Sequence, residues 1–104
     1  MTEEKVAKWG EKKKGAKLVK AAGSRKENIR LAAAKAMGNV EDEQVFNTLI
    51  TLLRDRNPEI RISAMESLQK IKNKNAIEHV RGLINDTDTK VSDKAREVLK
   101  ALHN

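Results

Sequence analysis

Side chains that could support catalysis or metal binding are few and scattered along this chain. Neither of the two histidines, His79 and His103, has carboxylates at the spacing of a metal site or a proton-transfer pair. Asp86, Asp88 and Asp93 cluster weakly, but the glycine and the terminal glutamate of a calcium-binding loop are missing. The glycines form no phosphate-binding loop, and no cysteine is present to act as a nucleophile or thiolate ligand. We therefore predict a protein that is not an enzyme, with no catalytic residue, no metal site and no cofactor.

A basic segment near the N-terminus is the strongest cluster of like charges. Residues 1–30 hold ten Lys or Arg against four Glu, and the stretch from Lys12 to Lys26 holds seven cations and no acid. Such a segment can bind phosphate backbones, or it can be a solvated face that keeps the protein soluble. We favour solubility and keep nucleic-acid binding as the alternative. The candidate basic patch consists of Lys13, Lys17, Lys20, Arg25 and Lys26, the first three on one face of a predicted helix.

The elements that position these side chains follow a repeat, because three segments of the chain align at a spacing of 31 residues. Apolar or small side chains recur at matched positions in every copy. A fixed period of this length indicates an array in which each unit buries its apolar face against the next. Three matched sets are Ile29, Ile60 and Val91; Ala33, Ala64 and Ala95; and Met37, Leu68 and Leu99.

Each copy is predicted to contain two helices joined by short linkers. In the middle copy, apolar residues keep to one side of the first helix, and Asn57 and Pro58 then supply an N-cap and a first-turn proline for the second. Trp9 is in register with the ends of the second helices, which predicts a core position. The predicted helices cover about 11–22, 25–38, 43–54, 58–72, 75–85 and 89–102, after a short helical lead-in over 2–9.

The motif within each copy resembles the HEAT family of helical repeats. An Asp is followed about six residues later by an aliphatic-Arg pair and then by a small residue, as in Asp55, Ile60-Arg61 and Ala64, and the first copy repeats the pattern around Arg30. The short period is similar to the HEAT-like repeats first named from phycobilin lyases. Tetratricopeptide and ankyrin signatures are absent.

This resemblance implies an all-α fold, a right-handed α-solenoid of three two-helix repeats with a short N-terminal lead-in. We expect a single domain over 1–104, with the lead-in at 1–10 and the repeats at about 11–40, 41–72 and 73–104.

The resemblance also implies a role for four charged residues. In the family, the motif Asp and Arg form a ladder that links neighbouring repeats. Carried over to this chain, Arg30 pairs with Asp55 and Arg61 pairs with Asp86. Serines stand where the first copy would have its Asp and the third copy its Arg, as expected at the ends of a three-rung array. We interpret the four residues as a structural ladder rather than as a binding site.

The register also assigns solvent-facing rows to the helices. First helices carry polar or small rows, which suit a convex side, and the resemblance places second helices on the concave side. Leu31 and Ile62 align with Asp93, and we favour their burial between repeats over an exposed apolar strip. The candidate partner-binding rows on the second helices contain Lys35, Met65, Glu66, Gln69, Arg96, Glu97 and Lys100.

A protein-interaction scaffold is the function that this pattern favours, with another protein as the partner. Nucleic-acid binding is the alternative, because HEAT-like alkylpurine DNA glycosylases share the architecture. Glu66 and Glu97 on the concave rows and the lack of an aromatic stacking platform count against it. A third hypothesis, that the protein is a subunit of a chromophore lyase, rests on the repeat name alone. No apolar run is long enough to span a bilayer and no secretory signal is visible, so we expect a cytoplasmic protein without membrane contact.

Overall fold

The computed structural model describes all 104 residues as helices and connecting turns, with no strand. A short 3-10 turn over Met37–Asn39 follows the third helix, and another over Lys74–Ala76 precedes the sixth. No helix has both the length and the apolar character that a membrane crossing requires. The helices are α1 (Glu3–Glu11), α2 (Gly15–Ala22), α3 (Glu27–Ala36), α4 (Glu43–Leu52), α5 (Pro58–Ile71), α6 (Ile77–Arg81) and α7 (Thr89–His103).

The helices form two layers. In one layer α1 packs against α3, α3 against α5, and α5 against α7, while α2 and α4 pack together in the other. Each second helix also packs on the first helix of its own copy, as α3 does on α2, α5 on α4 and α7 on α6. The lead-in helix α1 belongs to the layer of second helices. This arrangement is an α-solenoid of helical repeats, which confirms the predicted fold class.

A single continuous core of aliphatic and methionine side chains lies between the layers. The aligned residues Ala33, Ala64 and Ala95 are all fully buried, and these small side chains allow the helices to approach closely. Trp9 is only half-buried at the edge of this core, with the Lys17 ammonium 5.6 Å from the centroid of its ring. These matched alanines therefore lie at the same depth in the core, whereas Trp9 only partly occupies the predicted core position.

The start of α2 differs from the predicted helix over 11–22. Lys13 adopts a left-handed backbone conformation with a φ of 56°, and the Lys14 amide donates to the Trp9 carbonyl oxygen at 2.8 Å. This is the geometry of a Schellman motif, which ends α1 and delays the next helix. Lys13 consequently lies in a turn and does not share a helical face with Lys17 and Lys20, which corrects the sequence-based prediction.

The first helix of the third copy is also shorter than its predicted range of 75–85. The Asn73 side chain accepts from the Asn75 amide at 2.9 Å and opens a 3-10 turn before α6. After α6, the Leu83 and Ile84 amides bond to carbonyl oxygens three residues back instead of four. Gly82, directly after α6, is a weak helix former, which favours this early end of the helix.

Candidate functional site

The first Arg–Asp pair is a buried, two-pronged ion pair between the first and second copies. Arg30 Nε lies 2.8 Å from Asp55 Oδ2, and Arg30 Nη2 lies 3.2 Å from Asp55 Oδ1. The side chains are only 10% and 9% exposed. Arg30 Nη1 also donates to the carbonyl oxygens of Ser24 and Arg25. The guanidinium thus ties the loop before α3 to the loop before α5.

The second pair, between Arg61 and Asp86, has fewer hydrogen bonds. Arg61 Nη2 lies 3.2 Å from Asp86 Oδ1, while Arg61 Nη1 donates to the Asp55 carbonyl oxygen at 2.6 Å. Arg61 Nε is buried without a hydrogen-bond partner. Because only one nitrogen reaches the carboxylate, we infer that this pair holds the repeats together less strongly than the pair of Arg30.

Electrostatics keep both members of the first pair charged. Burial by itself raises the pKa of Asp55, but hydrogen bonds from Arg30 and from the Asn57 amide, with attraction to Arg30 and Arg56, bring the pKa below its ordinary value. The hydrogen bond to Asp55 in turn raises the pKa of Arg30, with burial opposing it. The charged pair is therefore the form that the folded protein stabilises.

We expect acid to weaken the fold through Asp55. A carboxyl group whose pKa is lower in the folded state stabilises the protein above its unfolded pKa, and this stability is lost as the pH falls through the folded value. Asp55→Asn should therefore be less stable than the native chain at neutral pH, and the difference should shrink below about pH 4. Thermal unfolding across this range measures it, and a constant difference down to about pH 2 would contradict the assignment.

On the second helices, Lys94 joins two acids from the candidate rows. Lys94 Nζ on α7 lies 3.3 Å from Glu66 Oε2 on α5 and 3.4 Å from Glu97 Oε1. Burial lowers the pKa of Lys94, but the hydrogen bonds and charges of both acids outweigh it and leave the pKa raised. Sequence reasoning missed Lys94, because Ala32 and Ser63 occupy the aligned positions and no repeating signal marks it.

The structure removes Met65 from the candidate partner-binding rows. It is 0% exposed, as is the aligned Ala34, whereas the aligned Arg96 is exposed. The helices α3 and α5 each have a following second helix that can cover this flank, but α7 has none. Met65 is therefore a core residue and not part of a partner-binding surface.

The remaining members of the rows lie at or near the surface. We call them the second-helix face, and a polar groove of about 430 Å³ runs along it between α5 and α7. This groove can form hydrogen bonds and ion pairs of both signs. The second-helix face consists of Lys35, Glu66, Arg96, Glu97 and Lys100, which are exposed, and Gln69, which is half-buried.

Leu31 and Ile62, which also belong to the second helices, are half-buried and pack against the core. The expected burial between repeats is therefore only partial. Asp93, at the aligned position of the last helix, is exposed. This difference again follows the absence of a following helix beyond α7.

The basic patch is exposed, but two of its cations already have partners. Lys13 Nζ donates to the Asn39 carbonyl oxygen at 3.0 Å, and the Lys17 ammonium lies over Trp9. Lys20 is on α2, whereas Arg25 and Lys26 lie in the loop before α3, so the patch is spread over a turn, a helix and a loop. The structure thus brings the Arg–Asp pairs and the acids around Lys94 together, whereas the residues of the basic patch come from three separate elements.

No group of three or more His, Cys, Asp or Glu side chains is arranged to hold a metal ion. Among known proteins, the family model for HEAT repeats matches residues 15–100. No curated protein shows a significant match to the chain. The matched segment runs from the start of α2 into the last turn of α7 and contains both Arg–Asp pairs. Because most of the chain and its repeat-linking contacts fall within this match, the chain belongs to the HEAT repeat family.

Proposed function

We propose that the protein is a non-enzymatic interaction module that presents its second-helix face to another protein. HEAT repeats commonly serve as protein-interaction scaffolds. The observation that carries the proposal is the arrangement of Glu66, Lys94 and Glu97, which places charges of both signs along the groove between α5 and α7. A polypeptide presents both donors and acceptors, so it can match such a surface.

Contacts between the first two copies support the proposal because they hold α3 and α5 together in the layer that carries this face. Arg30 and Asp55 join the first two copies through a buried ion pair, and Ser67 Oγ donates to the Ala34 carbonyl oxygen across α3 and α5. Exposed side chains on a preorganised scaffold lose less conformational freedom on binding than those on a flexible loop. The fold therefore supplies exposed side chains that are carried by packed helices rather than by loops.

Site-specific photo-crosslinking tests the proposal. A benzoylphenylalanine residue in place of the exposed Lys100 on the second-helix face should yield protein adducts in a source lysate. The same residue in place of the exposed Gln44, on the outer side of α4, is the matched control and should yield few. Adding Glu66→Lys and Glu97→Lys to the first variant should remove the adducts. Adducts from position 44 but none from position 100 would refute the proposal.

Nucleic-acid binding is the second candidate, and the basic patch is the observation that favours it. If the patch neutralises three or four phosphates, the affinity for duplex DNA should fall with salt with a log–log slope of about −3 to −4. We expect negligible binding at physiological salt, because Lys13 and Lys17 are already engaged. A micromolar affinity that the triple change Lys13→Gln, Lys17→Gln and Lys20→Gln abolishes would favour nucleic-acid binding over the protein-interaction proposal.

A further inference from the structure

The second copy of the repeat is joined firmly to the first. Besides the Arg30–Asp55 pair, three side-chain hydrogen bonds cross this joint, and their donors lie from just before α5 to its last turn. The two copies are therefore fastened along the length of α5. The bonds run from Asn57 Nδ2 to Glu27 Oε2 at 3.1 Å, from Ser67 Oγ to the Ala34 carbonyl oxygen, and from Lys70 Nζ to Asn39 Oδ1 at 2.5 Å.

None of these three donors has a counterpart in the third copy. Asp88, Val98 and Ala101 stand 31 residues after them, and none of these side chains donates a hydrogen bond at neutral pH. The Asp88 carboxylate instead accepts from amides at the start of its own helix, α7. Val98 is fully buried and adds apolar contact in place of one bond, but the other two bonds have no equivalent at their positions.

Two ion pairs join the second copy to the third. Arg61 reaches Asp86 through one nitrogen, and its Nε has no hydrogen-bond partner. Lys94 Nζ lies 3.3 Å from Glu66 Oε2, but the Glu66 side chain is 53% exposed, so water screens the attraction. Both pairs are therefore weaker fastenings than the buried, two-pronged pair of Arg30.

The first helices are also less closely packed at this joint. The helices α2 and α4 pack together, but α6 has only five residues and does not pack closely on α4. A cleft of about 340 Å³ lies between α4 and α6, and the half-buried side chains of Ile50 and Leu83 line it. The third copy is consequently held to the second mainly by the contact of α5 with α7.

The N-terminal end of the protein is fastened more firmly. Gly10 lets α1 approach α3 closely at Ala36, and Lys13 Nζ, in the turn after α1, donates to the Asn39 carbonyl oxygen at 3.0 Å. Met37 lies in the 3-10 turn that packs against both α1 and α5, and it is 0% exposed. The joint between the second and third copies is therefore the weakest one along the array.

We propose that the third copy, formed by α6 and α7, opens as one unit while the first two copies stay folded. In a repeat protein, stability is close to a sum over copies and their interfaces, so a weak interface allows one copy to unfold by itself. Opening uncovers the flank of α5 that faces α7, where Met65 is 0% exposed in the closed form.

Opening also separates the two sides of the groove between α5 and α7. Glu66 stays with the second copy, whereas Lys94 and Glu97 leave with the third. A partner that contacts both sides would hold the joint closed, because a ligand that binds only the closed form stabilises it.

Oxidation of the three methionines by hydrogen peroxide tests the inference on the native chain. Met1 is 55% exposed and is the reference for an accessible thioether, whereas Met37 and Met65 are equally buried. A buried thioether reacts when an opening uncovers it, so each initial rate reports one opening. Followed by peptide mass spectrometry, Met65 should be oxidised at least about tenfold faster than Met37.

Two variants locate the opening. Arg61→Ala weakens the joint that opens and should raise the initial rate at Met65 about fivefold or more. Ser67→Ala removes a bond that stays intact in the opened form. It should therefore raise the rate at Met37 about threefold or more and change the rate at Met65 less than about twofold. In a chain that opens only as a whole, the two methionines would respond alike to both variants.

Hydrogen exchange of the native protein provides an independent measurement, since the amides of α7 should exchange through an opening that leaves those of α3 protected. Equal oxidation rates at Met37 and Met65 would overturn the inference, and so would equal protection of α7 and α3. Faster oxidation of Met37 would also overturn it, because the weakest joint would then lie at the other end of the array.

Discussion

Arg30→Ala should lower the free energy of unfolding by about 3 kcal/mol, because it leaves a buried carboxylate without its counter-ion. Asp55 accepts two hydrogen bonds from Arg30 and is then left with the Asn57 amide, which donates to it at 2.9 Å. The variant also frees the loop carbonyl oxygens that the guanidinium holds. For a chain of this length, the loss corresponds to a fall in melting temperature of about 12 °C or more, measured by circular dichroism.

The geometry of the two pairs predicts a graded series. Arg61→Ala should cost about 1–2 kcal/mol, less than Arg30→Ala, because Arg61 has only one hydrogen bond to its carboxylate and an unpaired Nε. Arg56→Ala removes an exposed guanidinium outside the motif and should stay within about 0.5 kcal/mol of the native chain. Equal melting shifts for Arg30→Ala and Arg56→Ala would refute the ladder as a source of stability.

Gly10→Val should destabilise the protein by about 3 kcal/mol, because the side chain has no room between α1 and α3. A Cβ atom at Gly10 would lie 2.8 Å from Ala36 Cβ and 2.9 Å from the Ala36 carbonyl oxygen. The Ala36 carbonyl oxygen is a backbone atom, so the clash can be relieved only if α1 moves away from α3. Thermal unfolding measures the loss, and it should appear with a helical content close to native at low temperature.

Gly23→Val is the matched control for Gly10→Val. Gly23 follows α2 with a φ of −90°, and a Cβ atom there would meet only the Lys20 carbonyl oxygen, at 3.5 Å. That distance is an ordinary van der Waals contact, so the change should cost less than about 1 kcal/mol. If the two variants melt at the same temperature, the close approach of α1 to α3 does not contribute to stability in the way described.

The repeat architecture could be predicted from the sequence alone, because the matched positions of a repeat indicate which residues pack between its units. Apolar residues of one type that recur at a fixed period are expected to occupy equivalent environments, so the matched alanines at 33, 64 and 95 indicated one continuous core. Trp9 aligned with the ends of the second helices, and α1 indeed lies in their layer. The caps are equally local, since Asn57 accepts from the Glu59 amide at 2.8 Å just before α5.

Spacing also identified the partners of the ladder through the family resemblance. Arg30 and Asp55 are 25 residues apart, as are Arg61 and Asp86, and both pairs lie within hydrogen-bond distance. The spacing did not predict that the two pairs differ in their hydrogen bonds. Arg30 bonds its carboxylate through two nitrogens and Arg61 through one. This difference depends on how each side chain approaches its partner, which cannot be read from the residue types.

Tertiary structure alone decided how each surface position is used, because exposure depends on which neighbour lies across it. Met65 is buried and Arg96 is exposed at the same register position, since α5 has a following helix and α7 does not. Lys94 meets Glu66 only where α7 crosses α5. The close approach of α1 to α3 at Gly10 and Ala36 likewise depends on the distance between two helices, a property of packing rather than of periodic sequence.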